Sequence, residues 1–229
     1  RSHLERALRE MGREYVDIFH LHAARLTDPL GERKEVWEEI LKMKEEGKVR
    51  HAGVSTHLVS VVEALAGVPE VEVVHPLINR TGMGIIGGDS AAMAAAIAAC
   101  AAAGKGIYAM KALAGGNLIS AARDSLTYVK NLPGVQGVAV GMLSSAEIDA
   151  NYALFAGAMG KEADWERLQK RHRHLRIMDM FCNGCGACVA ACTNKALFVE
   201  EGRARLRQED CILCGYCAAA CPNFLIRVV

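Results

Sequence analysis

The chain of 229 residues has almost no net charge, with 27 Lys and Arg against 26 Asp and Glu. That balance gives no electrostatic reason to expect a nucleic acid or an anionic membrane surface as partner. No secretory leader is visible, since a basic start, an apolar stretch and a small-residue cleavage site do not occur together. The longest apolar run, residues 91–103, is too short and too rich in alanine to cross a bilayer. A reduced, cytoplasmic setting without membrane or nucleic acid is therefore expected. Cysteine is nearly missing from the first three quarters of the chain. Cys100 is the exception, and its alanine-rich helical surroundings mark it as a small buried residue. The composition, 52% hydrophobic and 23% charged, excludes a disordered chain and fits one large or two modest domains.

What is present is concentrated at the end. Eight of the nine cysteines form two runs, Cys182, Cys185, Cys188, Cys192 and Cys211, Cys214, Cys217, Cys221. Both follow C-x2-C-x2-C-x3-C. An iron–sulfide cubane presents four iron corners, and each takes one thiolate. Three cysteines at this spacing wrap one loop around three corners, and the fourth corner is reached from elsewhere. Gly184, Gly186 and Gly215 suit loops that turn tightly and bring N–H groups toward the sulfides. Structural zinc uses paired knuckles, which leaves half of each run surplus. Disulfides are disfavoured in a chain without a secretory signal.

These runs resemble the bacterial-type ferredoxin domain with two 4Fe–4S clusters, over about residues 180–229. In that arrangement the fourth cysteine of each run serves the other cluster. The resemblance therefore implies one cluster on Cys182, Cys185, Cys188 and Cys221, and a second on Cys192, Cys211, Cys214 and Cys217. Thr193 stands where a proline usually follows the fourth cysteine, whereas Pro222 keeps it. Proline is not a ligand, so ligation is unaffected.

Upstream, short apolar runs alternate with amphipathic stretches. Strands are expected at 15–22, 49–55, 71–75, 106–110 and 135–140. Helices are expected at 4–11, 32–46, 58–66, 90–103, 119–131 and 144–155, the second turning Val36, Ile40, Leu41 and Met43 to a core. Ser144 or Ser145 caps the last helix. This alternation predicts an α/β fold with a parallel sheet covered by helices. No strand is expected to enter its helix through a Gly-x-Gly-x-x-Gly turn, which favours a piece of a (β/α)8 barrel over a dinucleotide-binding half.

Four phrases carry a second resemblance: LREMGREYVDIFHLH, EGKVRHAGVS, AMKALAGG and VGMLSSAEIDAN. In this order and spacing across residues 4–155 they resemble the aldo/keto reductases. That family is a (β/α)8 barrel that interconverts carbonyls and alcohols with a nicotinamide cofactor. The resemblance implies a partial TIM barrel, strands four to eight, at residues 1–160. A basic linker at 161–176 and a small α+β ferredoxin-like iron–sulfur domain at 177–229 complete the expected organisation. It also implies that roughly ninety preceding residues, with the family's catalytic aspartate, tyrosine and lysine, lie outside this chain.

Of the catalytic group, His22 matches the histidine at the end of strand four, where a barrel presents its active-site mouth. Ser55 matches the serine that holds the nicotinamide carboxamide, beside Thr56 in place of an asparagine. His75 stands where a glutamine helps with that amide, and Met110 where an aromatic ring stacks on the nicotinamide. Lys111, Leu113 and Gly115 fall on the loop that wraps the pyrophosphate, and Asn151 keeps a residue that contacts adenine. Gly141 and Glu147 replace basic residues of NADP-preferring members, and a glutamate repels the 2′-phosphate. NAD(P) is thus implied, with NADP disfavoured. Each of these residues also has a plain reading as helix cap, core filler or solvated face.

The linker carries Arg167, Lys170, Arg171, His172, Arg173, His174 and Arg176. It reads as a solvated basic face or as a dock for the cluster module or an acidic redox partner. Together these features predict an iron–sulfur oxidoreductase. It would exchange electrons between a carbonyl/alcohol or nicotinamide site and two clusters, with an electron-transfer protein as partner. The alternative is a non-catalytic electron-transfer or partner-binding protein on a silent barrel scaffold.

Overall fold

The computed structural model describes residues 1–158, 162–170 and 173–229. They divide into two compact units, 1–110 with 129–140, and 111–128 with 141–229. Residues 111–128, expected with the strand–helix part, fall in the second unit, and Lys161, Arg171 and His172 of the expected linker lie outside the described residues.

The first unit opens with helix α1, Ser2–Met11, which buries Leu4 and Leu8 one turn apart and stops at Gly12, φ 62°. Strand β1 is Val16–His22. A short helix α2, Pro29–Glu32, leads into α3, Lys34–Glu45. Helix α3 buries Trp37, Ile40 and Met43, while Val36 is 48% exposed. This corrects the expected core face: Val36 lies in the first turn, beyond the end of the buried stripe. Then follow β2 (Val49–Thr56), α4 (Val59–Leu65), β3 (Val73–Pro76), α5 (Ser90–Ala102) and β4 (Gly106–Ala109). Helix α6, Ala122–Lys130, precedes β5, Gly137–Val138. The last strand is shorter than the six residues expected.

The five strands form one parallel sheet in chain order. Its register explains both its core and its site. Leu21 pairs with Val54, Val54 with Val74, and Val74 with Ile107, and all four are buried. Burying each such side chain contributes about 1.5–3 kcal/mol. Side chains alternate along a strand, so the next residues face the other way. They are His22, Ser55, His75 and Tyr108, with His22 paired to Ser55 and Ser55 to His75.

One glycine pattern runs against the expectation of strand–helix turns without a Gly-x-Gly-x-x-Gly. Gly82-Met83-Gly84-Ile85-Ile86-Gly87 spells a dinucleotide fingerprint, but it sits in the loop between β3 and α5. There Ile86 bonds back to His57 and Val59. Helix α5 begins only at Ser90, and the Asp89 carboxylate accepts from the Ala92 N–H at its N-terminus. A carboxylate there takes the place a phosphate would occupy, so the strand–turn–helix context of the fingerprint is missing.

The second unit holds helix α7, Ser145–Ala156, capped by Ser144 through the Glu147 N–H, and helix α8, Glu162–Gln169. Strand β6 is Leu175–Ile177, helix α9 Ala187–Ala191, β7 Leu197–Glu200, β8 Arg203–Leu206, helix α10 Tyr216–Ala220 and β9 Ile226–Val228. Strands β6 and β9 pair antiparallel, as do β7 and β8. Strand β6 thus begins within the stretch expected as linker, because Arg176 pairs with Arg227. Leu175, Ala196, Leu197, Ala204, Leu213 and Ile226 form a small core that includes Cys188, Cys211 and Cys217.

Candidate functional site

In the first unit the strand ends bring His22, Ser55 and His75 into one row. His22 Nδ1 lies 2.7 Å from the Ser55 hydroxyl. Ser55 is buried and His22 exposed. His75 Nδ1 donates to the backbone carbonyl of Tyr108 at 2.6 Å. A carbonyl only accepts, so this nitrogen carries the proton and Nε2 is left as an acceptor. The His75 and Tyr108 rings stack with centroids 4.1 Å apart.

Two members of this group were not assigned to a site from sequence. The Tyr108 hydroxyl meets His20 Nδ1 at 3.1 Å, and His20 Nε2 is buried without a hydrogen-bond partner. His20 and His22 are two apart on β1, so one face carries both; that spacing was the available signal. Gly53 makes room for the ring, since a Cβ there would stand 2.6 Å from His20 Cδ2 and 2.6 Å from the Val73 carbonyl. Burial, then repulsion from His75 and His22, lowers the His20 pKa to about 4. Burial lowers His75 and raises Tyr108. At neutral pH His20, His75 and Tyr108 are uncharged.

Met110 is 8% exposed at the end of this region. Thr56 is buried and its hydroxyl accepts from the Leu58 N–H at 3.2 Å, so it organises its own turn.

The other expected cofactor residues fall in the second unit. Lys111, φ 62°, Ala114, φ 47°, and Gly115, φ 70°, form a tight turn after β4. Leu113 anchors it by accepting from Gly116 and Leu118. The open side of Gly115 is taken by the Ile212 carbonyl, which a Cβ would meet at 1.7 Å. Asn117, unnoticed in the sequence, donates through Nδ2 to the carbonyls of Ala114 and Cys211, each at 2.8 Å. Asn151 is buried within α7. The Glu147 carboxylate accepts from the Leu143 N–H at 2.8 Å, so it also shapes the start of that helix.

Two cavities in this unit are lined by cysteine. One is bordered by Cys182, Cys185, Cys188 and Cys221, the other by Cys192, Cys211, Cys214 and Cys217. None of the nine cysteines is in a disulfide. Cys182 Sγ accepts from the N–H groups of Ala204 at 3.3 Å and Gly184 at 3.5 Å, which lowers its pKa. Cys192 accepts from Ala196 at 3.2 Å, and Cys221 from Leu225 at 3.4 Å, each four residues on. Burial raises Cys188, Cys211 and Cys217, the last to about 11. A cubane takes one thiolate at each of four separate irons, so four cysteines spread around a cavity fit it.

A model of the aldo/keto reductase family matches residues 1–126, more than half of the chain. The chain belongs to the aldo/keto reductase family. A model of the 4Fe-4S dicluster domain matches residues 181–227, so this member carries an iron–sulfur module. Among solved structures, a Pseudomonas aeruginosa protein described as an aldo-keto reductase is similar at 25% identity, with a TM-score of 0.53. The match covers 67% of this chain and 57% of that one. An aldo-keto reductase of Bacillus halodurans, in its holo form, is similar at 17% identity and TM-score 0.52, over 74% of this chain and 65% of its own. The second likeness bears on the fold alone. The chain thus spans less than two thirds of either structure. No curated protein matches. Among the described residues no helix is long and apolar enough to cross a membrane.

Proposed function

We propose that this family member is an iron–sulfur oxidoreductase coupling a carbonyl/alcohol or nicotinamide site, at the strand ends of a partial (β/α)8 barrel, to two 4Fe–4S clusters. The observation that carries the reading is one chain holding both a strand-end histidine–serine row and two separate four-cysteine cavities. The ligand sets are Cys182, Cys185, Cys188 and Cys221 for the first cluster, and Cys192, Cys211, Cys214 and Cys217 for the second. Bound clusters supply one-electron storage at low potential, and two of them match the two electrons that separate an alcohol from a carbonyl.

The chain's own residues have definite parts in this reading. With the Ser55 hydroxyl donating to His22 Nδ1, the His22 proton sits on Nε2, free to donate to a substrate oxygen. Ala204 and Gly184 place N–H groups on the Cys182 sulfur and so favour its thiolate, while Ala196 and Leu225 orient the Cys192 and Cys221 sulfurs by the same kind of bond. Ser55, His75 and Met110 belong to the nicotinamide end, and Lys111, Leu113, Gly115 and Asn151 to the pyrophosphate and adenine end. Glu147 disfavours the 2′-phosphate, so NADH is preferred over NADPH. The cluster module serves an electron-transfer protein.

A second reading, electron transfer on a silent scaffold, is favoured by the Gly115 turn and by Thr56, whose polar groups already bond within the chain. Anaerobic titration of the cluster-loaded protein separates the two. NADH, or an alcohol substrate with nicotinamide, bleaches the visible cluster absorbance in the first reading. Intact clusters that no nicotinamide or carbonyl/alcohol pair reduces or reoxidises would leave the second.

A further inference from the structure

The two cysteine runs repeat one chain path but have different walls. In the first run Gly184 turns with φ 68° and lies against the β7–β8 turn, where a Cβ would stand 2.5 Å from the Gly202 carbonyl. That wall belongs to the module itself. The matching position of the second run is Leu213, which holds a left-handed φ of 51° with a full side chain and is buried. A non-glycine residue in this region is strained and persists only where its surroundings enforce it.

The surroundings here are the turn that follows β4. Gly115 presses on the Ile212 carbonyl so closely that a Cβ would meet it at 1.7 Å. The two amide protons of Asn117 are both spent, one on Ala114 within the turn and one on the carbonyl of Cys211. Asn117 therefore fixes the spacing between the turn and the first cysteine of the second run. Ile212, between these contacts, is 2% exposed. On the first run the residue matching Ile212 is Asn183, which is exposed, as is Cys185.

We infer that the turn after β4 is a built part of the second cluster's site, with Gly115 and Asn117 as its positioning residues. That cluster is the one on Cys192, Cys211, Cys214 and Cys217, and the turn and its ligands lie within the same compact unit. This role of the turn rests on the cluster ligands proposed above. Its physical basis is that cluster potential follows hydrogen bonding and solvent exposure, and residues behind the ligands set both. The bond from Asn117 to the Cys211 carbonyl joins residues 94 apart in sequence, so it holds the turn and the second run together without any local chain constraint.

The test is a redox titration of the cluster-loaded protein followed by electron paramagnetic resonance, with iron analysis. Asn117→Asp keeps the shape but replaces the donor by an acceptor facing the Cys211 carbonyl. It is expected to shift the midpoint of one cluster and leave the other in place. Asn117→Ala should shift the same midpoint by less. Gly184→Ala, which perturbs the first run, should move the other signal and so assigns the two. Gly115→Ala should lose the second cluster alone, taking iron from about eight to about four per chain. If the Asn117 variants move both midpoints equally, or neither, or if Gly115→Ala loses iron from both clusters alike, the turn is not part of the second site. A wild-type protein that binds no pair of clusters would instead overturn the ligand assignment itself.

Discussion

The strand-end row and the cysteine runs are both polar sets in apolar surroundings, and they are satisfied in opposite ways. In the row, side chains answer one another: Tyr108 bonds His20, Ser55 bonds His22, and His75 bonds a backbone carbonyl. Burial keeps His20 and His75 neutral and so removes the cost of a buried charge. The cysteines differ. Their sulfurs form no disulfide, Cys182, Cys192 and Cys221 receive backbone N–H groups, and at Cys182 these favour a negative sulfur. The row bonds within the polypeptide at every member but keeps His20 Nε2 without a partner. The cysteine sets fit an electrophile such as iron.

Removing that electrophile should break the comparison most visibly. Stripping iron and sulfide leaves two cavities within the small core that Cys188, Cys211 and Cys217 help to build. Hydrogen exchange is expected to show protection lost across β6 to β9 and retained over β1 to β4. Equal loss in both would mean that the row, too, depends on the clusters.

Acid should strike the row instead. The His20 pKa falls to about 4 in the folded chain, from 6.5. Between those values the unfolded chain binds more protons, so stability rises with pH. The contribution is complete above about pH 6.5 and is lost as pH falls toward 4, with a total on the order of 3 kcal/mol. His75 acts in the same direction. Urea unfolding of the wild type and of His20→Phe, compared between these limits, measures it. A variant with an unchanged pH slope would show that His20 is not responsible.

Next come two substitutions that break the row from within. Tyr108→Phe removes the hydroxyl on His20 Nδ1 and leaves a half-buried ring with neither nitrogen bonded, costing about 1–3 kcal/mol. Gly53→Ala forces a Cβ against His20 and the Val73 carbonyl, at a similar cost of about 1–3 kcal/mol. Both should leave the iron content unchanged, which iron analysis checks.

The sequence carried the two sets to different degrees. The cysteines could be read at once, because a loop around a cubane needs its ligands at short fixed spacing, and Cys182, Cys185 and Cys188 meet that locally. Parallel strands were legible from apolar runs such as 49–55. The row was legible only in part. His22 and Ser55 came from family likeness, while the Tyr108–His20 bond joins residues 88 apart and depends on register across β1 to β4. Asn117 and Cys211 are 94 apart, and nothing local marks an asparagine in a glycine-rich turn as a partner of a cysteine carbonyl. Val36 shows the same limit at smaller scale: periodicity gives the face of α3 but not where along the helix its cover ends.

The smallest expected effect separates stability from function within the row. Ser55→Ala removes the hydroxyl that lies 2.7 Å from His22 Nδ1. His22 is exposed, so water can take over its nitrogen, and no buried donor is orphaned. The cost in stability should be about 0.5–1.5 kcal/mol. The effect on carbonyl reduction should be larger in proportion, since without Ser55 the His22 ring is free to rotate and to exchange tautomers. If His22 acts through a donor Nε2, kcat falls while the Tm moves by only a few degrees. If instead Ser55→Ala changes kcat no more than a distant surface substitution does, the His22–Ser55 pair is structural. The row would then be only a packed polar layer, and redox work would fall to the cysteine runs alone.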